Sequence, residues 1–242
     1  MNGFYEYDLG LTDYRDVLAL QHKLTEARQR KDIADILLLT EHNPVVTIGR
    51  FMKSDELETE MTVTQEKILE LGISVIPCDR GGRLTYHGPG QLVAYPIIHL
   101  QENRLSVKQY VWMLEESIIE TLSQFGIHGK RLGGLTGVWV GENKVAALGL
   151  HVSDGVSRHG LALNVDIDLH PFGLIIPCGI TKMGVTSVAD IVAGIKVSMT
   201  AVKNAFIESI TRVFNMDVRL SGGMSECMSM VESSLNGSGR VH

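Results

Sequence analysis

Helical segments interleaved with antiparallel-looking strands predict an α+β fold for this chain. Three observations carry the prediction. Ile36 to Leu39 is a continuous apolar run, as in a buried strand. Residues 106–125 and 199–215 place apolar side chains at three-to-four spacing, as amphipathic helices do. GVWV and KVAALGLHVS flank a Gly141–Glu142–Asn143 bend, which is a hairpin signal.

Taken in order, residues 12–31 read as a helix. Thr12 or Asp13 can cap it, and Val17, Leu18, Leu20 and Leu24 lie close to one face. After the strand at Ile36, VVTIG (45–49) gives a second strand beyond Pro44. TQEKILEL (64–71) is a short helix stopped by Gly72, and ISVIPC (73–78) is another strand. QLVAYPIIHL (91–100) is strand-like, but Pro96 cannot donate to a ladder, so an edge or a bulge is expected. Ser106 caps the helix over 106–125, and Gly126 ends it. HGLALNVDI (159–167) supplies a further strand. From Ser221 onward Ser, Gly and Met dominate. The expected organisation is one domain over 1–218 and a polar, weakly ordered tail over 219–242.

Composition narrows the class. Of 242 residues, 44% are hydrophobic, too many for a disordered chain. A chain this long buries about 70–75% of its unfolded surface, so no disulfide or metal staple is needed. The formal charge of −6 argues against a nucleic-acid partner. Cys78, Cys178 and Cys227 form no CxxC pair, which suggests free thiols in a reducing compartment. MNGFYEYDLG has neither a basic nor an apolar leader region, and no run approaches the ~20 apolar residues of a membrane span. A soluble, cytoplasmic protein with no membrane partner is expected.

Three places can carry chemistry. RGGRLTYHGPGQ (80–91) has glycine at four of its positions, with two arginines, a histidine and a stiffening proline among them. Such a loop can wrap an elongated substrate and hold its polar end. It is not a phosphate-cradling loop, because GxxxxGK[ST] is absent. In IIPCGI (175–180), Cys178 stands between Pro177 and Gly179 at the end of an apolar run. A thiol there can face a cleft, and it becomes a nucleophile if a cation favours its thiolate. Lys144, just after the hairpin bend, can serve as base toward such a thiol if it points inward. Gly149 would leave room beside it for substrate. His151, His159 and His170 lack the spacing of a zinc motif, so no metal is expected.

RGGRLTYHGPGQLVAYPI, then GVWV, KVAALG, HGLALN and PCGI in that order, resembles the lipoyl(octanoyl) transferases. LLLTEHNPVVTIG (37–49) matches a further segment of that family. The resemblance covers about residues 35–185 and implies a biotin/lipoate protein ligase-like catalytic domain, a mixed β-sheet with packed helices. It implies transfer of an octanoyl group from acyl carrier protein to a lysine of a lipoyl domain. Acceptors of that kind occur in 2-oxoacid dehydrogenases and in the glycine cleavage H protein. Cys178 would form a thioester and Lys144 would activate it, with no cofactor. The acyl channel would comprise Arg80, Gly81, Gly82, Arg83, Leu84, Thr85, Tyr86 and His87, together with Ala147, Leu148 and Gly149 and with Gly160, Leu161 and Ala162. Position 83 is Arg where Gln is frequent in the family. The amide of Gly179 can polarise the thioester carbonyl.

Both protein substrates of that family are typically acidic. Arg80, Arg83, Lys130, Arg131 and Arg158 are therefore expected to form a basic docking face. Two competing readings remain. An ATP-dependent lipoate–protein ligase shares the fold but needs no cysteine at PCGI and often carries a further C-terminal domain. A non-catalytic acyl-carrier binding module would keep the channel and need no thiolate.

Overall fold

A computed structural model describes residues 3–53, 55–176, 184–193 and 197–237. The chain builds β1 (Gly3–Thr12), α1 (Tyr14–Gln29), β2 (Asp35–His42), β3 (Val45–Ile48), α2 (Gln65–Glu70), β4 (Ser74–Pro77), β5 (Leu84–His87) and β6 (Gln91–Ile97). It continues with α3 (Val107–Ser123), β7 (Lys130–Leu132), β8 (Leu135–Val140), β9 (Asn143–Ser153) and β10 (Val156–Asn164). A 3-10 turn (His170–Leu174), α4 (Val188–Ile191), α5 (Met199–Phe214), β11 (Asp217–Gly222) and α6 (Met224–Gly237) complete it.

Among the described residues the strands form two sheets. The larger runs β11-β1-β2-β6-β10-β9-β8-β7, and the smaller runs β4-β3-β5. In the larger sheet β1 is parallel to β11 and β2, and the remaining neighbours are antiparallel. This is the mixed-sheet α+β fold that the sequence predicts.

The apolar run in β2 serves both faces of the sheet. Leu37 and Leu39 join the core beneath α3 and α5, whereas Ile36 and Leu38 join the core beneath α1 and α6. A strand covered on both sides reads as unbroken apolar sequence, because neither set of alternate positions meets water. On α3, Tyr110, Leu114, Ile118 and Leu122 are fully buried, and Ser106 and Gln109 close a reciprocal capping box at its start. Asp13, rather than Thr12, caps α1 by accepting from the Arg15 N–H at 2.8 Å.

Several expectations need correction. β1 was not foreseen, since GFYEYDLGLT mixes charged and apolar residues without clean alternation. Thr85 to His87, expected in a loop, lie in β5, which pairs with β3 from Val45↔His87 to Ile48↔Leu84. Pro96 lies on an interior strand, not at an edge: β6 runs between β2 and β10. The ladder to β10 lapses beside it, ending at Leu161↔Ala94 and meeting again where Ser157 N–H donates to Ile98 O at 2.9 Å. Gly160 faces this gap. A Cβ there would strike the Ala94 carbonyl and come within 2.9 Å of Pro96 Cδ. Ser157 Oγ donates to the Pro96 carbonyl at 2.8 Å.

The strand expected at 159–167 is Val156–Asn164, because the Asp154–Gly155 bend sets its register to β9. The expected weak tail is corrected over residues 219–237, and residues 238–242 lie outside the described residues. Residues 217–222 form β11 on β1, and Met224–Gly237 form α6. Cys227 and Val231 of α6 are fully buried against the α1 side of the core. The Ser-rich face of α6 points outward, and Met224, Met228 and Met230 supply partly buried contacts.

Candidate active site

The smaller sheet meets the larger one over β6, β9 and β10, and a narrow cleft opens between them. Arg80, Gly81, Gly82, Leu84, Thr85 and His87 form one wall. Ala147, Leu148, Gly149, Gly160, Leu161 and Ala162 form the other, with Tyr14, Val93, Tyr95 and His159 at the deep end. Twelve of the fourteen residues anticipated for the channel thus line one cleft. Arg83 and Tyr86 do not line it. The Tyr86 ring packs edge-on against Phe172 at 5.4 Å, in the core behind the smaller sheet.

The Arg80 loop is held from within. Arg80 is 6% exposed. Its Nε donates to Thr47 Oγ1 at 3.0 Å, its Nη1 to Gly81 O at 3.0 Å, and its Nη2 to Thr47 O at 2.7 Å and Arg83 O at 2.9 Å. The fork therefore binds the backbone of its own loop and of β3. It is not available to a docking protein.

The other expected docking arginines are similarly engaged. Arg158 pairs with Asp79, Arg83 bridges Glu56 and Glu60, and Arg131 bridges Glu115 and Glu116. Only Lys130 of the five is exposed. The expected basic face is thus corrected. An arginine between two carboxylates presents little net charge, which residue type alone does not reveal.

The deep end of the cleft is polar and aromatic. His42 Nε2 and the Tyr95 hydroxyl are 2.8 Å apart, and the Tyr14 and His87 rings stack at 5.9 Å. Burial pushes His42 down to about 4 and His87 down to about 3, so both rings are neutral at pH 7. His159 Nε2 lies 2.6 Å from Asp79 Oδ1. Burial raises the Asp79 carboxyl, but the bonds from His159 and Arg158 outweigh it and hold the group below the usual carboxylate range. His151 also reaches Asp79, at 3.5 Å, while His170 is exposed beside Asp168.

Lys144 opens β9, at the opposite end of this strand region. Its Nζ lies 4.8 Å from the centroid of the Trp139 ring, which attracts the ammonium form. Gly137 makes room for its stem: a Cβ there would come within 3.3 Å of Lys144 Cε and 2.8 Å of Ala146 O. Lys144 N–H donates to Gly184 O at 2.9 Å, and Thr186 N–H donates to Lys144 O at 3.0 Å. Cys178 lies outside the described residues. The flanks of its segment are fixed: Ile176 N–H donates to Glu60 O at 2.8 Å, and Gly184 is bonded to Lys144.

The sequence reading missed the groups that connect these walls. His87 Nδ1 is 2.7 Å from Gln91 Oε1, Gln91 Nε2 donates to Asn164 Oδ1 at 2.9 Å, and Asn164 Nδ2 donates to Thr186 O at 2.9 Å. This buried chain runs from the Arg80–Gln91 segment to the backbone that pairs with Lys144. Gln91 and Asn164 close the HGPGQ and HGLALN strings, so their amide side chains at strand ends were the available signal. Glu115, on α3, accepts from Gly137 N–H at 2.9 Å and was not anticipated.

The comparisons agree with this architecture. The sequence profile of the lipoyl protein ligase A/B catalytic domain matches residues 13–211, and the chain belongs to that family. Within it, the chain is 44% identical over 211 residues to an octanoyltransferase of Solibacter usitatus, covering 87% of this chain and 92% of that one. A bipartite lipoate protein ligase from Thermoplasma acidophilum superimposes with a TM-score of 0.74 at 20% identity, covering 98% and 93% of the two chains. A biotin protein ligase from Aquifex aeolicus superimposes at 0.55 with 15% identity, covering 87% and 70%. These two structural likenesses show the shared fold. Among the described residues no helix is long and apolar enough to cross a membrane.

Proposed function

We propose that this chain is an octanoyltransferase: it moves an octanoyl group from an acyl carrier protein to a lysine of a lipoyl domain. The observation that carries this reading is the 44% identity to an octanoyltransferase, extending over a cleft whose walls suit a straight acyl chain. At about 0.8 kcal/mol per buried methylene, an eight-carbon chain gains several kcal/mol by leaving water. The lipoyl domains of 2-oxoacid dehydrogenases and the glycine cleavage H protein are the acceptors we propose.

For the chemistry we assign Cys178 as nucleophile and Lys144 as its base. With the Cys178 proton held on Lys144 as an ammonium, the thiolate attacks the thioester carbonyl. The carrier thiolate departs and takes that proton back. The acceptor amine then attacks the Cys178 thioester, Lys144 receives the amine's proton, and the Cys178 thiolate leaves to be reprotonated. Two supports stand on the structure. Lys144 sits at the end of the β9 wall, and Gly184, six residues beyond Cys178, is hydrogen-bonded to it.

Purified chain, octanoyl carrier protein and a lipoyl domain, without ATP, should give an acceptor carrying one octanoyl group by intact mass. Free octanoate with ATP should give none. Labelling that requires ATP and free octanoate would replace this reading with the ligase. Binding of the octanoyl carrier without labelling of the acceptor would leave a binding module.

A further inference from the structure

A second groove runs along the edge of β9, outside the acyl cleft. The β8–β9 register ends at Val138↔Ala146, because Gly137 N–H turns away to Glu115. In the β9–β10 ladder the Asp154–Gly155 bend closes on the pair Ser153↔Val156. The N–H and C=O of Ala147, Gly149, His151 and Ser153 therefore face β10, and those of Ala146, Leu148 and Leu150 face the other side. Ala146 meets β8 there, and Leu150 O accepts from Gly81 N–H at 2.9 Å. Between them Leu148 has no partner residue on that side among the described residues.

A groove lies along this stretch of open edge. Phe51 and Val111 form its outer walls, Leu135 and Lys144 stand at one end, and Gly81 and Gly82 at the other. It shares Gly81, Gly82 and Ala147 to Gly149 with the acyl cleft. Phe51, 55% exposed, overhangs it.

We infer that this groove seats the pantetheine arm of the donor thioester, with the first amide of the arm, the one nearest the thioester, hydrogen-bonded to the open edge of β9 at Leu148. The inference rests on the octanoyltransferase reading. Before transfer, the arm is covalently continuous with the acyl chain. With the acyl chain in the cleft, the arm must leave through the wall that cleft and groove share, beside Lys144. The arm is an extended, neutral chain with two amides, and an unpaired strand edge offers the complementary N–H and C=O. The groove suits a nucleotide poorly: Lys144 is its one cationic side chain among the described residues, so a polyphosphate would go unneutralised.

Three octanoyl thioesters test the inference. The N-acetylcysteamine thioester carries the first amide of the arm, its N-methyl analogue keeps the carbonyl without the N–H, and the butanethiol thioester has neither. Losing the paired amide should lower kcat/KM about tenfold for both altered donors, as expected for one lost hydrogen bond. Equal kcat/KM for the three, with octanoyl carrier protein used normally, overturns the groove assignment and leaves octanoyl transfer standing. Failure to use octanoyl carrier protein at all overturns the parent reading instead. A filled groove gives the second arm. Val111 is half-buried on α3, so Val111→Trp should fold, raise KM for octanoyl carrier protein several-fold and leave KM for the lipoyl domain unchanged. A rise confined to the lipoyl domain would make the acceptor the occupant and overturn the assignment.

Discussion

Lys144→Ala lowers kcat for octanoyl transfer about 10³-fold, within the span that a positioned acid–base group contributes. The fold should survive, because Lys144 joins Gly184 and Thr186 through its backbone, which alanine retains. Its side chain is half-buried, with Nζ over the Trp139 ring, and no ion pair holds it among the described residues. The loss should fall on kcat more than on donor KM, since Lys144 does not line the acyl cleft. Steady-state rates with octanoyl carrier protein, alongside a thermal melt, check both parts. A loss below tenfold with an unchanged melt would remove Lys144 from proton transfer.

Arg80→Lys destabilises the chain by about 3 kcal/mol and lowers kcat/KM as the cleft loosens. A lysine keeps the charge but loses the planar fork. Arg80 binds Thr47 Oγ1 and three backbone carbonyls, those of Thr47, Gly81 and Arg83. One ammonium cannot reach all of these, and hydrogen bonds from a charged donor contribute about 1.5–3 kcal/mol each. Two lost bonds account for the figure. Urea unfolding should show a lower midpoint with an unchanged slope. A shift under about 1 kcal/mol would mean that the fork does not hold the loop.

Much of the fold was legible, and the reasons are local. The helices at α1, α3 and α5 carry strong caps and clean apolar stripes. β2 is unbroken apolar sequence because both of its faces are covered. The hairpin after Trp139 turns at Gly141 and Glu142, where the residue types demand a bend. What failed was set by distant partners. β1 has a mixed sequence and becomes a strand by lying between β2 and β11. α6 reads as a Ser-rich tail, yet Cys227 and Val231 give it a buried face against α1. Pro96 sits inside a sheet because Gly160 and Ser157, more than sixty residues on, accommodate it.

The same division holds at the site. The cleft walls follow from three short strings, each a continuous stretch of one strand or loop. The docking arginines did not follow, because Glu56, Glu60, Glu115 and Asp79 engage them from other elements. The buried Gln91–Asn164–Thr186 connection depends on strand register, which no single string contains. Cys178 itself lies outside the described residues, so its role rests on the PCGI string and on the Gly184–Lys144 bond.

The central claim is that the acyl group passes through Cys178. Intact-mass spectrometry of the chain after incubation with octanoyl carrier protein, with no acceptor present, tests it most directly. We expect one octanoyl adduct on the wild type that hydroxylamine removes, mapped by peptide analysis to Cys178, and none on the folded Cys178→Ser variant. No adduct on the wild type in the presence of normal transfer, or an adduct that persists in Cys178→Ser, would contradict the account.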